Sequence, residues 1–121
     1  MSQIQFNGWG NKQPHQHDAQ IAKRVAEALD CNVIPSGLVG ESGGIETNGA
    51  GTLIAHENSW INDNRKPSLS KDQISKRLLA AYGADQIIWS KVVAELDLTD
   101  YHIDSLARFV TPENLVANLP A

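Results

Sequence analysis

An α/β fold is what this sequence predicts, and two observations carry the prediction. Segments with helical periodicity alternate along the chain with short β-type runs, the order that layers helices against strands. Two of those β-type runs are joined at Asn48-Gly49, a dipeptide suited to the positive φ angles of a tight hairpin turn. The 121 residues suffice for one domain, 1–121, with a modest core.

Residues 3–6 read as a short strand that ends at the turn "NGWGN". In "HDAQIAKRVAEALD" the apolar residues Ile21, Val25 and Leu29 recur at helical spacing, which predicts an amphipathic helix over 19–29 with Asp18 as N-cap. "CNVIP" follows as a strand stopped by Pro35 and Gly37, and residues 44–48 are expected to pair antiparallel with 51–56. "SWINDNRKP" reads as a loop. A second helix over 71–81 is marked at its start by Ser70 and Gln73 in capping-box spacing and at its end by Gly83. "QIIW" is a strand, "ARFV" is strand-like, and "NLVAN" is another strand near the end. Two units of similar size, each a helix with its strands, are visible although their sequences do not match.

Composition narrows the function. Hydrophobic residues make up 41% and charged residues 20%, ordinary values for a globular domain. The net charge is −4 with Lys and Arg scattered, so no nucleic-acid partner is expected, and a mild acidity suits small cations. Cys31 is the only cysteine, which rules out an internal disulfide and points to a reducing cytoplasm. The first ten residues lack the charged and apolar runs of a signal peptide. No stretch approaches the ~18 apolar residues of a membrane span, so no membrane partner is expected.

The segment "LDLTDYHIDSLARFV" concentrates the chemistry. Asp97, Asp100, His102 and Asp104 fall within eight positions. In an extended chain Asp100, His102 and Asp104 would share one face. A histidine between carboxylates has its imidazolium form favoured, and paired carboxylates can grip a planar cation such as a guanidinium. Spacing alone leaves this reading open beside a solvated acidic turn, and favours the turn.

The same segment, 97–110, resembles the agmatine deiminase family of the pentein, or guanidine-modifying, enzymes, whose pattern is D-x-T-D-G-H-x-D-x-x-A-R-F. The departure is Tyr101 in place of glycine. "FNGWG" at 6–10, "ESGGIETNGAGTL" at 41–53, "DNRKPSLSKDQI" at 63–74 and "IIW" at 87–89 resemble further family segments in the same order. The resemblance implies a partial pentein, an α/β propeller, of about two ββαβ units. It implies a reaction in which a cysteine thiolate attacks a guanidinium carbon, with no cofactor and no metal. By position His102 matches the acid–base histidine and Glu41 its carboxylate partner. Asp104 matches a guanidinium-binding aspartate, and Asp100 is expected beside it in substrate binding. Ser42 stands where the family has the first of two glycines.

The resemblance covers only the family's middle third. Its nucleophilic cysteine motif and its other guanidinium-binding aspartate motif do not occur in this sequence, so no nucleophile is assigned. Cys31 lies at a helix–strand junction, outside any such motif, and reads as a buried structural cysteine. Elsewhere, His15, His17 and Asp18 read as a solvated segment rather than metal ligands. Trp9, Trp60 and Trp89 read as packing residues, and Arg65 as a loop brace rather than a substrate anchor. Tyr101 either narrows the pocket or marks relaxed catalytic demand.

Three functions stay open. The first is a truncated, inactive relative that binds agmatine-like cations. The second is a hydrolase completed by another chain, or part of a longer enzyme. The third is a non-enzymatic interaction module. Unit flanks left open by a partial propeller predict a homo-oligomer, with a dimer the simplest form.

Overall fold

The computed structural model describes residues 1–65, 68–91 and 98–118. Asp97, one of the four ionisable groups singled out from sequence, lies outside the described residues. Among the described residues, seven strands form three small sheets, with helices between them. Strand β1 (Ser2–Gln5) pairs parallel with β2 (Ile34–Val39), and helix α1 (Ile21–Ala28) connects them. Strand β3 (Ile45–Thr47) pairs antiparallel with β4 (Thr52–His56), which pairs parallel with β5 (Gln86–Ser90). Between β4 and β5 run a one-turn helix α2 (Glu57–Trp60) and helix α3 (Lys71–Tyr82). Strands β6 (Ala107–Thr111) and β7 (Asn114–Ala117) close the described chain as an antiparallel hairpin. One complete ββαβ unit, β3-β4-α3-β5, is thus flanked by a β-α-β segment and by a hairpin, about two units in all.

Local chemistry accounts for most of these elements. Helix α3 begins with a capping box: the Ser70 hydroxyl accepts from the Gln73 N–H while the Gln73 side chain accepts from the Ser70 N–H, and Gly83 ends it in the left-handed conformation. The expected antiparallel pairing of 44–48 with 51–56 is found, with Ile45 opposite Ala55. Its loop is longer than a two-residue turn, because the Asn48 side-chain oxygen accepts from the N–H groups of Ala50 and Thr52 and braces residues 48–51.

Strand β4 is buried on both faces, which places it at the centre. Leu53 and Ala55 face one cluster, with Leu38, Ile45, Trp60, Ile74 and Leu78. Ile54 faces the other, with Ile103 and Ala107. The two-residue period of a strand therefore lets β4 anchor two layers at once.

Three expectations are corrected. Strand β2 is not stopped at Pro35 and Gly37 but continues through both to Val39. Among the described residues it pairs with β1 alone, with an irregular register between Gln3 and Gln5, and such an edge tolerates a proline without an N–H. Asp18 does not cap α1; it begins a short 3-10 turn, Asp18–Gln20, and neither helix start there has a side-chain cap. Cys31 is exposed rather than buried. Asp30 takes a positive φ just after α1, and the exposed Cys31 thiol that follows donates to the Leu29 carbonyl at 3.5 Å. The apolar stripe of α1 is likewise outward: Ile21, Val25 and Leu29 are 55%, 46% and 64% exposed.

Candidate active site

The turn after β1 and the loop before α3 meet because a small residue lets them. The turn after β1 runs through Gly8–Asn11, with Trp9, Gly10 and Asn11 all at positive φ. At Gly10 a Cβ would fall 2.9 Å from the Asn64 Cβ, so glycine permits this turn to lie on the loop around Asn64 and Arg65. Asn7 fastens the contact: its side-chain oxygen accepts from Gly10 N–H, and its amide donates to the Asn64 carbonyl at 2.8 Å.

The second meeting is between residues 41–44 and 102–105. Chain leaving β2 makes a short 3-10 turn, Ser42–Gly44, and a matching turn, Ile103–Ser105, packs against it. Ile103 is 1% exposed and sits on Ile54, so the second apolar cluster sets the height of His102 and Asp104. Gly43 fills the seam. A Cβ there would lie 2.4 Å from His102 Nδ1 and 2.8 Å from Asp104 Oδ2. The close approach thus falls on Gly43, a retained glycine, and not on Ser42, where the family pattern is broken.

Around this seam the side chains form a connected set. His102 Nε2 lies 3.1 Å from Glu41 Oε2, and the other Glu41 oxygen accepts from Arg65 Nη1. Arg65 Nη2 also donates to the Thr99 carbonyl at 3.1 Å and to Asp100 Oδ2 at 3.4 Å. Asp100 in turn meets Lys12 Nζ. The Arg65 side chain is fully buried, and those of Glu41 and His102 are only 10% and 12% exposed. A charge held so far from water needs a hydrogen-bonded partner of opposite sign, and the Arg65 guanidinium and Glu41 carboxylate supply this for each other.

Glu41, His102 and Asp104 line one cavity of about 800 Å³. Its apolar wall includes Phe6, Trp9, Ile21 and Tyr82, and Asp18 adds a further carboxylate. Trp9 packs edge-on against Phe6, with ring centroids 5.2 Å apart, so it serves packing and lines the cavity together. Burial raises the Tyr82 phenol above its ordinary range. Neither Arg65 nor any other arginine or lysine is among the described lining residues.

The extended-chain argument for Asp100, His102 and Asp104 does not describe the backbone. Asp100 and Tyr101 have φ of 63° and 69°, and His102 stands at the start of the 3-10 turn without capping it through its side chain. Asp100 accordingly points to Arg65 and Lys12 and is not part of the cavity lining, while His102 and Asp104 are. Tyr101 occupies a left-handed position that costs a non-glycine residue ~1 kcal/mol. Its ring lies edge-on to that of buried His56 at 5.2 Å and does not line the cavity. Arg65 braces the loops, as its sequence context suggested, but its grip on Glu41 was not legible there. Trp60 and Trp89 pack as expected, Trp60 Nε1 donating to the Gly44 carbonyl and Trp89 Nε1 to the Ser75 hydroxyl. No metal-binding group of His, Cys, Asp and Glu occurs among the described residues, and no described helix is long and apolar enough to cross a membrane.

The model of the Porphyromonas-type peptidyl-arginine deiminase family matches residues 1–120. The chain belongs to that family. Among curated members, it is 37% identical over 113 residues to the agmatine deiminase of Stutzerimonas stutzeri, covering 88% of this chain and 31% of that one. To the agmatine deiminase of Pseudomonas fluorescens it is 35% identical over 113 residues, with the same coverage. The solved structure of C. jejuni agmatine deiminase with substrate bound superposes with a TM-score of 0.85 at 30% identity, over 96% of this chain and 35% of that chain. The Enterococcus faecalis agmatine deiminase shares the fold, with a TM-score of 0.88 over 96% of this chain and 33% of the other at 24% identity. This family member thus spans about a third of the length of its relatives and matches about a third of their pentein fold.

Proposed function

We propose that these 121 residues carry the Glu41–His102–Asp104 part of a guanidinium site of the agmatine deiminase type, and that by themselves they bind an agmatine-like cation without hydrolysing it. The observation that carries this reading is the cavity in which the three side chains converge. Arg65 and Lys12 offset Glu41 and Asp100, whereas neither Asp18 nor Asp104 has an ion-pair partner among the described residues. Asp18 and Asp104 are therefore the lining carboxylates left to receive a cation; Asp104 stands beside His102 at Gly43, where a guanidinium can meet it with charge-assisted hydrogen bonds. His102 then serves as proton donor and acceptor, and Glu41 as the partner that holds its ring.

Lining chemistry also favours agmatine over arginine. Asp18, Glu41 and Asp104 border the cavity, and a substrate carboxylate would meet no lysine or arginine among the described lining residues. Hydrolysis needs a positioned thiolate. The only thiol, Cys31, is exposed beyond the end of α1 and does not line the cavity. Catalysis on this reading requires a thiolate from elsewhere, in another segment or another chain. The exposed apolar stripe of α1 supports association with another chain; a homodimer is the simplest such assembly, but its second copy brings no thiol other than Cys31.

Calorimetric titration with agmatine, putrescine and arginine tests the reading. Agmatine is expected to bind most tightly and arginine least, with agmatine binding lost in Asp104→Asn. Equal binding of arginine and agmatine, or none of either, overturns it.

A further inference from the structure

We infer that Arg65 is a positioning residue for His102, acting through Glu41, and that it transmits to the cavity the placement of the 98–100 loop and of the turn after β1. The inference rests on the proposed role of His102, but its geometry stands in the ligand-free chain.

Arg65 has a fully buried side chain, and its planar fork reaches two segments at once. Nη1 holds Glu41, which follows β2, and Nη2 holds the Thr99 carbonyl and Asp100. Lys12 then links Asp100 and the Leu98 carbonyl to the turn after β1. Glu41 has one oxygen on Arg65 and the other on His102, so fixing the first orients the second. A carboxylate accepts, hence Nε2 of neutral His102 carries the proton and Nδ1 is the unprotonated nitrogen. Nδ1 is the atom that lies against Gly43 beside Asp104, at the cavity wall. Arg65 therefore selects which ring nitrogen is available there. A lysine at 65 would keep the charge but lose the fork that spans Glu41 and residues 99–100.

This role differs from a loop brace and from a substrate anchor. A brace would affect stability alone, and an anchor would have to reach the cavity, which Arg65 does not line.

Long-range proton–nitrogen NMR of the His102 ring in the whole 121-residue chain reads the tautomer directly. Wild type is expected to show one tautomer, with Nε2 protonated. Arg65→Lys and Arg65→Met, shown to be folded by their amide spectra, are expected to show a mixture of tautomers and an agmatine affinity about tenfold weaker. Asp100→Asn keeps the Glu41 contact and is expected to fall between these and wild type. An unchanged single tautomer in a folded Arg65 variant overturns the inference. So does unfolding of both Arg65 variants together with a wild-type tautomer in Asp100→Asn, since Arg65 would then be a brace only. A mixed tautomer in Asp100→Asn supports the inference even if the Arg65 variants unfold. Failure of the wild-type chain to bind agmatine sinks the functional proposal and leaves the tautomer result standing.

Discussion

Replacing Gly43 by alanine puts one methyl group into the seam between Glu41, His102 and Asp104. The new Cβ would stand 2.4 Å from His102 Nδ1 and 2.8 Å from Asp104 Oδ2. Ordinary contact begins at 3.4 Å, so the ring has to retreat by about 1 Å. Backbone strain is not the issue, because Gly43 is not among the residues with positive φ. The displaced atoms are side-chain ends, and the cost falls on the site. A retreat of that size carries His102 out of hydrogen-bond range of Glu41, now 3.1 Å away, or tilts the bond past its useful angles. Loss of a hydrogen bond to a charged group is worth about 1.5–3 kcal/mol. For agmatine binding that corresponds to a roughly 10- to 100-fold weaker affinity. Global stability should change by only ~1 kcal/mol, because alanine stiffens the unfolded chain while it crowds the folded one. Calorimetric titration gives the affinity, and denaturant unfolding gives the stability. Wild-type affinity in folded Gly43→Ala, with unshifted His102 signals, would refute the claim that the seam positions these side chains.

Other predictions address the rest of the molecule. Cys31 should react stoichiometrically with a thiol reagent in the native chain, and Cys31→Ser should leave agmatine binding unchanged; a thiol that reacts only in denaturant would contradict its placement. Burial raises the Tyr82 phenol above its ordinary value near 10, so the unfolded chain ionises first as pH rises. Its contribution to stability is complete below about pH 10 and is lost as the pH climbs through the raised value. Tyr82→Phe should therefore lose less stability than wild type across that alkaline window, and parallel curves would count against this. Light scattering should give a mass above 13.2 kDa that rises with concentration, and Val25→Glu on the exposed stripe should lower it. A constant 13.2 kDa would end the association reading.

Periodicity and capping made the elements legible where local chemistry decides them. Ser70, Gln73 and Gly83 bracket α3, and Asn48-Gly49 marks the hairpin, because each signal acts within a few residues. Features set by distant partners were read less well. Pro35 reads as a stop because sequence does not reveal that, among the described residues, β2 pairs on one side only. The periodicity of Ile21, Val25 and Leu29 marks an amphipathic helix but not what its apolar side meets, and in the described chain that side is largely exposed. Glu41, His102 and Asp104 were identified through their motifs, and they do meet. The spacing argument for one face failed, because Asp100 and Tyr101 turn the chain with positive φ. The link from Arg65 to Glu41 spans 24 positions and depends on tertiary packing, so no local pattern announces it.

Amide chemical-shift mapping of the labelled chain during titration with agmatine tests the central claim most directly. Saturable shifts centred on Gly43, His102 and Asp104, with no ammonia released, are the predicted result. Shifts confined to other surfaces, or ammonia release that disappears in Cys31→Ser, would contradict it.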